Sequence, residues 1–219
     1  MASLKAALDN HVIVCGFGNT GMATVKELLA KGTDPKQILV IDHEEGRARA
    51  ATGWGVAALQ GNCSQEATLR DAVMEKARVL IIATGRDDTS ALILLTARQL
   101  NPAVRIILSA KEEENIKLFR QGGANSIVAP ATFGGYALAA AVNQPHMVQY
   151  LEDLLKAGGR VNLIEPQVEE EEIGKMASDL KPAIVLRVYR GGTIISMTEV
   201  QNGTQLQRGD LLVILKPIV

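Results

Sequence analysis

A glycine-rich run with the spacing of a phosphate-binding loop lies near the start of the chain. It consists of Gly16, Phe17, Gly18, Asn19, Thr20 and Gly21, and it directly follows the apolar run Val12–Cys15. Between a strand and a helix, the first glycine permits a tight turn and the second lets the backbone approach a pyrophosphate. The third lets the helix pack close to the sheet. Because amide groups at a helix N-terminus attract anions, we expect residues 16–21 to bind phosphate.

An acidic residue stands where the ribose of a bound nucleotide would lie. Asp42 ends the second predicted strand, 21 residues after Gly21, and a carboxylate there accepts hydrogen bonds from both ribose hydroxyls. This favours NAD or an adenosine nucleotide over NADP. His43, beside it, is placed to stack on a ribose or to cap the next helix.

The other walls of this predicted site follow from the topology of an open parallel sheet, in which ligands bind at the carboxyl ends of the strands. The third and fourth strands should contribute the residues that follow them, which are Asn62, Cys63, Ala83, Thr84 and Gly85.

The elements that position these residues alternate between apolar runs and helical segments. The predicted strands are Val12–Cys15, Ile38–Ile41, Val56–Leu59, Val79–Ala83, Arg105–Ser109 and Ser126–Val128. The predicted helices are Thr20–Lys31, Glu44–Thr52, Gln65–Lys76 capped by Ser64, a helix capped by Asp87 or Asp88 that stops at Asn101, and Lys111–Gln121. This pattern predicts an α/β fold with a Rossmann-like, doubly wound, parallel six-stranded sheet.

The pattern changes after Pro130. Two helices separated by Pro145, Ala131–Asn143 and His146–Lys156, predict a helix-turn-helix crossover. A small α+β C-terminal subdomain should follow, with a helix over Glu169–Leu180 and strands at Val161–Ile164, Ile184–Tyr189, Thr193–Met197 and Leu211–Leu215. We therefore divide the chain into residues 1–130, 131–158 and 159–219.

Composition excludes several classes of function. The 219 residues carry a net charge of −1 and only 3% aromatic residues, which argues against nucleic acid as a partner. The apolar runs are far shorter than the roughly 20 residues of a membrane span, so we expect no direct membrane insertion. With no signal segment and only two cysteines, which we interpret as small buried hydrophobes, the chain is expected to be cytoplasmic.

The residues expected of an enzyme are missing. A dehydrogenase needs a general acid or base beside its substrate, and the histidines are His11, His43 and His146. None follows a strand that would face a nicotinamide, which favours a nucleotide sensor over an enzyme. An NAD-linked oxidoreductase with a small second module stays an alternative. The acidic run Glu169–Glu172 is interpreted first as a solvated helix start, which leaves the location of any metal site open.

Four segments together resemble RCK domains, the regulators of potassium conductance found in prokaryotic potassium channels and Trk/Ktr transporters. They are His11–Gly21, Gly61–Ala72, Ala83–Leu95 and Asn115–Pro130. The resemblance extends through the helix pair to Arg208, Gly209 and Asp210 before the last predicted strand.

The resemblance implies a cytosolic domain that pairs through the helix-turn-helix and assembles into an octameric ring. Binding of NAD/NADH or ATP/ADP would change the shape of the ring and gate the pore of a potassium channel or the membrane subunit of a transporter. A divalent cation or a cyclic dinucleotide is the alternative ligand. Lys111 is placed to approach a phosphate, whereas Asn19 stands where ATP-responsive relatives carry arginine, and Asn62 replaces an acid.

Overall fold

The first sheet is parallel throughout, with strands in the order β3-β2-β1-β4-β5-β6. In the computed structural model, which describes residues 8–217, these strands are β1 (Val12–Cys15), β2 (Ile38–Asp42), β3 (Ala57–Gln60), β4 (Val79–Ile82), β5 (Arg105–Ser109) and β6 (Ser126–Val128). This is the strand order of a doubly wound Rossmann fold. The predicted fold class is confirmed.

Helices follow the first five strands and cover both faces of the sheet. They are α1 (Asn19–Ala30), α2 (Glu45–Thr52), α3 (Glu66–Asp71), α4 (Asp87–Leu100) and α5 (Ile116–Gln121). Side chains of β1 alternate between two apolar clusters, with Ile13 and Cys15 in one and Val12 and Val14 in the other. Burial on both faces explains why the strands are continuous apolar runs without a polar alternation.

Several predicted helix bounds in this sheet region are wrong: α3 ends at Asp71 rather than Lys76, and α5 begins at Ile116 rather than Lys111. The predicted caps are wrong as well. Ser64 does not cap α3, because Gln65 is the N-cap residue and the Ser64 hydroxyl donates to Asn62 Oδ1 (2.8 Å). Asp87 lies inside the first turn of α4, and its carboxylate accepts the backbone N–H groups of Lys111 (2.9 Å) and Glu112 (3.0 Å). Asp87 therefore stabilises the loop after β5 rather than its own helix.

The described residues fall into two compact units, one ending at Ala139 and the other beginning at Ala140. The helix α6 (Pro130–Ala141) spans that division, and α7 (Pro145–Leu155) lies in the second unit. No residue of either helix is fully buried. The boundaries at residues 130 and 158 remain predictions.

The second unit contains a small antiparallel sheet with strands in the order β7-β10-β8-β9. They are β7 (Val161–Ile164), β8 (Ile184–Arg190), β9 (Thr193–Ile195) and β10 (Leu211–Pro217). Gly191 and Gly192 both have positive φ, 53° and 86°, and form the tight turn predicted between β8 and β9. Val185, Val188 and Leu212 are among the buried residues of its core.

The predicted helix over Glu169–Leu180 is wrong. Its place is taken by two short 3-10 turns, Glu170–Glu172 and Ala177–Asp179. Between them Gly174 has a φ of 84°, which a helix does not allow. The backbone here pairs with a distant segment instead, since Gly174 N–H donates to the Leu206 carbonyl and Leu206 N–H donates to the Lys175 carbonyl (2.9 Å each).

The strand predicted over Thr193–Met197 ends early, at Ile195, and a short helix α8 (Met197–Gln201) follows. Ser196 and Glu199 form a capping box, in which the Glu199 backbone N–H donates to the Ser196 hydroxyl oxygen and the Ser196 backbone N–H donates to the Glu199 carboxylate. The sequence Ser-Met-Thr-Glu carries this signal, although a strand through Met197 was predicted there.

Candidate functional site

The glycine loop connects β1 to α1, and two of its glycines are required by the fold itself. Gly16 has a φ of 94°, and a Cβ there would lie 2.6 Å from the Ala83 carbonyl oxygen. A Cβ on Gly21 would collide with the Gly16 carbonyl oxygen. These two residues hold the turn tight and let α1 start directly against the ends of β1 and β4.

Gly18 is different, because the fold does not require its lack of a side chain. Its φ is −78°, which any residue adopts. Beyond its chain neighbours, the atom nearest to a Cβ built there is Arg47 Nη1, at an ordinary contact distance of 3.6 Å. A side chain at Gly18 would therefore occupy space in front of the loop rather than space needed by the protein.

The helix α1 starts within this loop, and no side chain of its first turn offsets the positive end of its dipole. Gly18, the N-cap residue, has no side chain to accept a hydrogen bond from the first turn, and that turn contains no acidic residue. By contrast, α2, α3 and α4 each carry a carboxylate in their first turn. The first amides of α1 thus remain free to attract an anion from outside the chain.

Asp42, at the end of β2, is 3% exposed and is held by two backbone amides. Phe17 N–H donates to its Oδ2 (2.6 Å), and Glu44 N–H donates to its Oδ1 (2.9 Å). Each carboxylate oxygen has two lone pairs, so both oxygens retain acceptor capacity. This arrangement fixes the carboxylate at the mouth of the loop while leaving it able to bind hydroxyl groups.

A cavity of about 390 Å³ lies in front of the glycine loop, a volume within the range of small-molecule sites. We call it the glycine-loop cavity. Its lining residues come from the carboxyl ends of β1, β2, β3 and β4 and from the segments that follow. They are Gly16, Gly18, Asn19, Thr20, Ile41, Asp42, His43, Arg47, Gly61, Asn62, Cys63, Ala83, Thr84, Gly85, Arg86 and Thr89.

Eleven of the fourteen residues predicted for the site line this cavity, and Phe17, Gly21 and Lys111 do not. Phe17 is 1% exposed and packs edge-on against Trp54, with ring centroids 5.3 Å apart, so only its backbone amide serves the site. Gly21 lies within α1. Lys111 is exposed, with its Nζ 3.9 Å from Glu112 Oε1, because Asp87 binds the backbone of its loop.

Two arginines that were not predicted for the site also line the cavity. Arg47 lies in the first turns of α2, and Arg86 precedes α4. Arg86 directly follows Gly85, a residue predicted to line the site, so its place at the cavity could have been predicted from the sequence. Arg47 is five residues beyond Asp42. Its side chain reaches the loop because it lies on the side of α2 that faces the loop.

The cysteines and histidines do not form a reactive group at the cavity. Both cysteines are buried, and a hydrogen bond from the Cys15 thiol to Cys63, together with burial, raises the pKa of the Cys15 thiol. His43 is exposed, with its Nδ1 3.4 Å from Asp42 Oδ1. Among residues 8–217, no group of three or more His, Cys, Asp and Glu side chains could hold a metal ion.

The family model that matches this chain is that of the TrkA-N domain, and it covers residues 12–130. The chain belongs to the TrkA-N domain family. The match spans β1 to the start of α6 and so contains the whole glycine-loop cavity. It confirms the resemblance to RCK domains of potassium channels and transporters that the sequence indicated.

Relatives of this TrkA-N chain include proteins named for potassium transport. The Ktr system potassium uptake protein A of Vibrio alginolyticus is 27% identical over 215 residues, which are 95% of this chain and 93% of that protein. Potassium channel protein 1 of Methanocaldococcus jannaschii is 26% identical over 94% of this chain and 62% of its own length. An uncharacterized protein of Methanothermus fervidus is 35% identical over 66% of this chain, but the chain spans only 22% of it.

Solved structures share the fold. The GsuK channel bound to NAD has a TM-score of 0.56 and 21% identity, and the match covers 95% of this chain and 36% of that one. The Shewanella denitrificans Kef C-terminal domain in its AMP-bound form has a TM-score of 0.51 and 21% identity, over 66% of this chain and 89% of that one. Over residues 8–217 of the TrkA-N chain, no helix is both long enough and apolar enough to cross a membrane.

Proposed function

We propose that this chain is a nucleotide-sensing regulatory domain of a potassium channel or transporter. The ligand is an adenine nucleotide, NAD/NADH or ATP/ADP, bound in the glycine-loop cavity. Phosphates lie against residues 16–21 and the start of α1, and the ribose hydroxyls bind Asp42. Two solved structures of the same fold carry NAD and AMP, according to their names.

The observation that carries this proposal is that nothing in the fold requires Gly18 to lack a side chain. Gly16 and Gly21 have steric reasons within the fold, but Gly18 has none. A glycine that the protein does not need for its own packing is explained when a ligand approaches its backbone closely. The first turn of α1 contains no acidic side chain, so the positive end of the helix dipole is available beside Gly18 and supplies the complementary charge for a phosphate.

The role we propose is regulatory rather than catalytic. His43 lies beside Asp42, at the ribose end of the cavity, where no hydride transfer would take place. His11 is fully buried before β1, and His146 is an exposed residue of α7 in the other unit. A binding site without a general acid or base suits a domain whose ligand shifts an equilibrium between two conformations.

The partners we propose are further copies of the chain and a membrane protein for potassium, at the cytoplasmic face of the membrane. The helices α6 and α7 and the turn between them expose large apolar side chains, namely Phe133, Tyr136, Leu138, Val142, Met147, Tyr150 and Leu155. Such surfaces mark interaction sites, and pairing through them would build a dimer. In an octameric ring assembled from such dimers, a change of shape on nucleotide binding would be transmitted to the gate of the potassium channel or transporter.

A thermal-shift experiment tests the ligand and its site together. The purified chain is melted with NAD, NADH, ATP, ADP, AMP, calcium or magnesium, since a ligand of the folded state raises the melting temperature. We expect a shift with an adenine nucleotide that Gly18→Ala abolishes, because the added methyl fills the phosphate position. The variant should still fold, because its φ is ordinary and its nearest contact is loose.

Gly46→Ala is the matched control for that experiment. Gly46 lies on α2, beside the cavity but outside its lining, and a Cβ there meets nothing within 4 Å. The control should keep the full nucleotide shift. Equal shifts in wild type and Gly18→Ala, or a shift with divalent cations alone, would refute the proposed site.

A further inference from the structure

The guanidinium group of Arg47 lies over Gly18 of the glycine loop. Its Nη2 pairs with Glu44 Oε1 at 3.0 Å, and its Nη1 is 3.6 Å from the position of a Cβ on Gly18. Arg47 also lines the glycine-loop cavity. One edge of the guanidinium is therefore anchored to the protein, while another edge faces the place where a ligand would meet the loop.

Glu44 links the guanidinium of Arg47 to Asp42. The Glu44 backbone N–H donates to Asp42 Oδ1 (2.9 Å), and its side chain then holds Arg47 three residues along the chain. Asp42 is buried, and its other oxygen is bound by the amide of Phe17 within the loop. Asp42, Glu44 and Arg47 thus form a continuous chain of contacts from the ribose position to the space above Gly18.

The second arginine of the cavity does not have the same freedom. Arg86 pairs with Asp88 through both Nε (3.2 Å) and Nη2 (2.7 Å), so its fork is already used by a carboxylate. Arg47 keeps part of its fork available, and the start of α1 behind Gly18 carries no acidic residue. The positive charge in front of the loop therefore comes from Arg47 and from the α1 amides.

We propose that Arg47 binds the 5′-phosphate chain of the nucleotide, from the side opposite to the α1 amides. This inference rests on the proposed function. A phosphate at the α1 amides would come within reach of the guanidinium, whose Nη1 is 3.6 Å from the Cβ position of Gly18 and whose exposed side chain can move outward to receive it. A planar guanidinium matches phosphate oxygens in geometry and charge. A 2′-phosphate is excluded, because it would approach the buried carboxylate of Asp42. The ligand class is thus an adenosine 5′-phosphate with a free ribose.

Calorimetric titration of the full chain with adenosine, AMP, ADP, NAD and NADP tests this role. Arg47→Gln removes the fork and leaves a polar side chain of similar length. We expect it to weaken ADP and NAD by about 10- to 100-fold, the value of hydrogen bonds to a charged group, and to leave adenosine within about threefold. Arg49→Gln is the matched control, since Arg49 is an exposed arginine of the same helix, paired with Glu45, outside the cavity lining.

The outcomes separate this inference from the proposed function. If wild type binds none of these ligands, and neither ATP nor NADH, the proposed function itself is wrong. If wild type binds nucleotides and Arg47→Gln weakens adenosine as much as ADP, Arg47 contacts the base and the inference is overturned. Selective weakening of NADP, or equal effects of Arg47→Gln and Arg49→Gln, would also overturn it. A loss confined to ligands with a 5′-phosphate supports it.

Discussion

The two units of this chain each bury a carboxylate, and they satisfy it in different ways. In the second unit, Asp210 is fully buried and accepts two hydrogen bonds from Arg190, from Nε (2.8 Å) and from Nη2 (2.7 Å). Arg190 holds the pKa of Asp210 below its usual range. In the first unit, Asp42 is equally buried but is bound by two backbone amides and borders an open cavity.

This difference distinguishes a structural carboxylate from one that is available to a ligand. The charge of Asp210 is offset by an arginine of its own sheet, and Gln207 N–H adds a third hydrogen bond (2.9 Å). Asp42 has only neutral amides and a partly exposed histidine beside it, and its free acceptor sites face the glycine-loop cavity. We infer that the first unit reserves its carboxylate for ribose hydroxyls, whereas the second uses its carboxylate for stability.

The largest effect expected from this comparison is on stability in the second unit. Arg190→Met should destabilise it by about 3 kcal/mol, because Asp210 is left buried without its counter-charge. Native-state hydrogen exchange of the β8 and β10 amides measures the loss. Arg187→Met, an exposed change on the same strand, should have little effect, and neither variant should alter nucleotide affinity. Unchanged exchange in Arg190→Met would contradict the structural role of the pair.

A smaller effect on folding, joined to a loss of binding, is expected for Asp42→Asn. The amide side chain offers one acceptor oxygen to two backbone N–H groups, so about 2 kcal/mol of folding free energy should be lost. Affinity for ADP should fall at least about tenfold, since a charged acceptor for the ribose hydroxyls is removed.

Urea unfolding and calorimetry measure these two losses in Asp42→Asn. Asp34→Asn is the control with the same change in charge, on an exposed carboxylate that caps the 3-10 turn before β2, whereas Asp42 ends that strand. If Asp42→Asn lost stability but bound ADP as tightly as wild type, Asp42 would be a structural carboxylate like Asp210, and the difference inferred between the two would be wrong.

The smallest effect concerns His11, which is fully buried before β1. Its Nε2–H donates to the Ala72 carbonyl oxygen (2.9 Å), and burial lowers the pKa of its imidazole below 6.5. The unfolded state then binds more protons, so the stability is fully present above about pH 6.5 and is lost as the pH falls through the folded-state pKa. Thermal melts between pH 7.5 and 5 should show this decline.

Replacement of His11 separates this contribution from other titrating groups. His11→Asn should flatten the decline in melting temperature between pH 7 and 5, although its starting stability will be lower. His146→Asn, which removes the exposed histidine of α7, is the control. An identical pH profile for wild type and His11→Asn would show that the imidazole is not responsible.

The sequence predicted the first unit closely because its signals are local. Each of the six parallel strands is an apolar run, and each predicted strand agrees with the structure to within one residue. The glycine spacing and Asp42 identified most of the cavity. Arg47 escaped prediction because its role depends on how far a side chain reaches back across a helix turn, which no spacing in the sequence records.

The second unit was harder to predict because distant backbone pairing determines its form. The segment Glu169–Leu180 has the composition of a helix, but Ala177 N–H donates to the Thr204 carbonyl (2.9 Å) and Gly174 pairs with Leu206. Such pairing leaves no pattern within the segment itself. The position of Lys111 outside the cavity lining has a related cause, since the carboxylate of Asp87, 24 residues earlier, binds the backbone of its loop. The contact of Lys111 with a phosphate stays a prediction.

The most direct test of the central claim is an amide chemical-shift titration of the full chain with ADP. We expect the largest changes at Gly18, Asn19 and Thr20, and smaller ones at Glu44, whose amide binds Asp42. Amides around Arg190 and Asp210 should change little. If the largest changes instead surrounded Arg190 in the second unit, the ligand would bind there, and the glycine-loop cavity would not be the sensor.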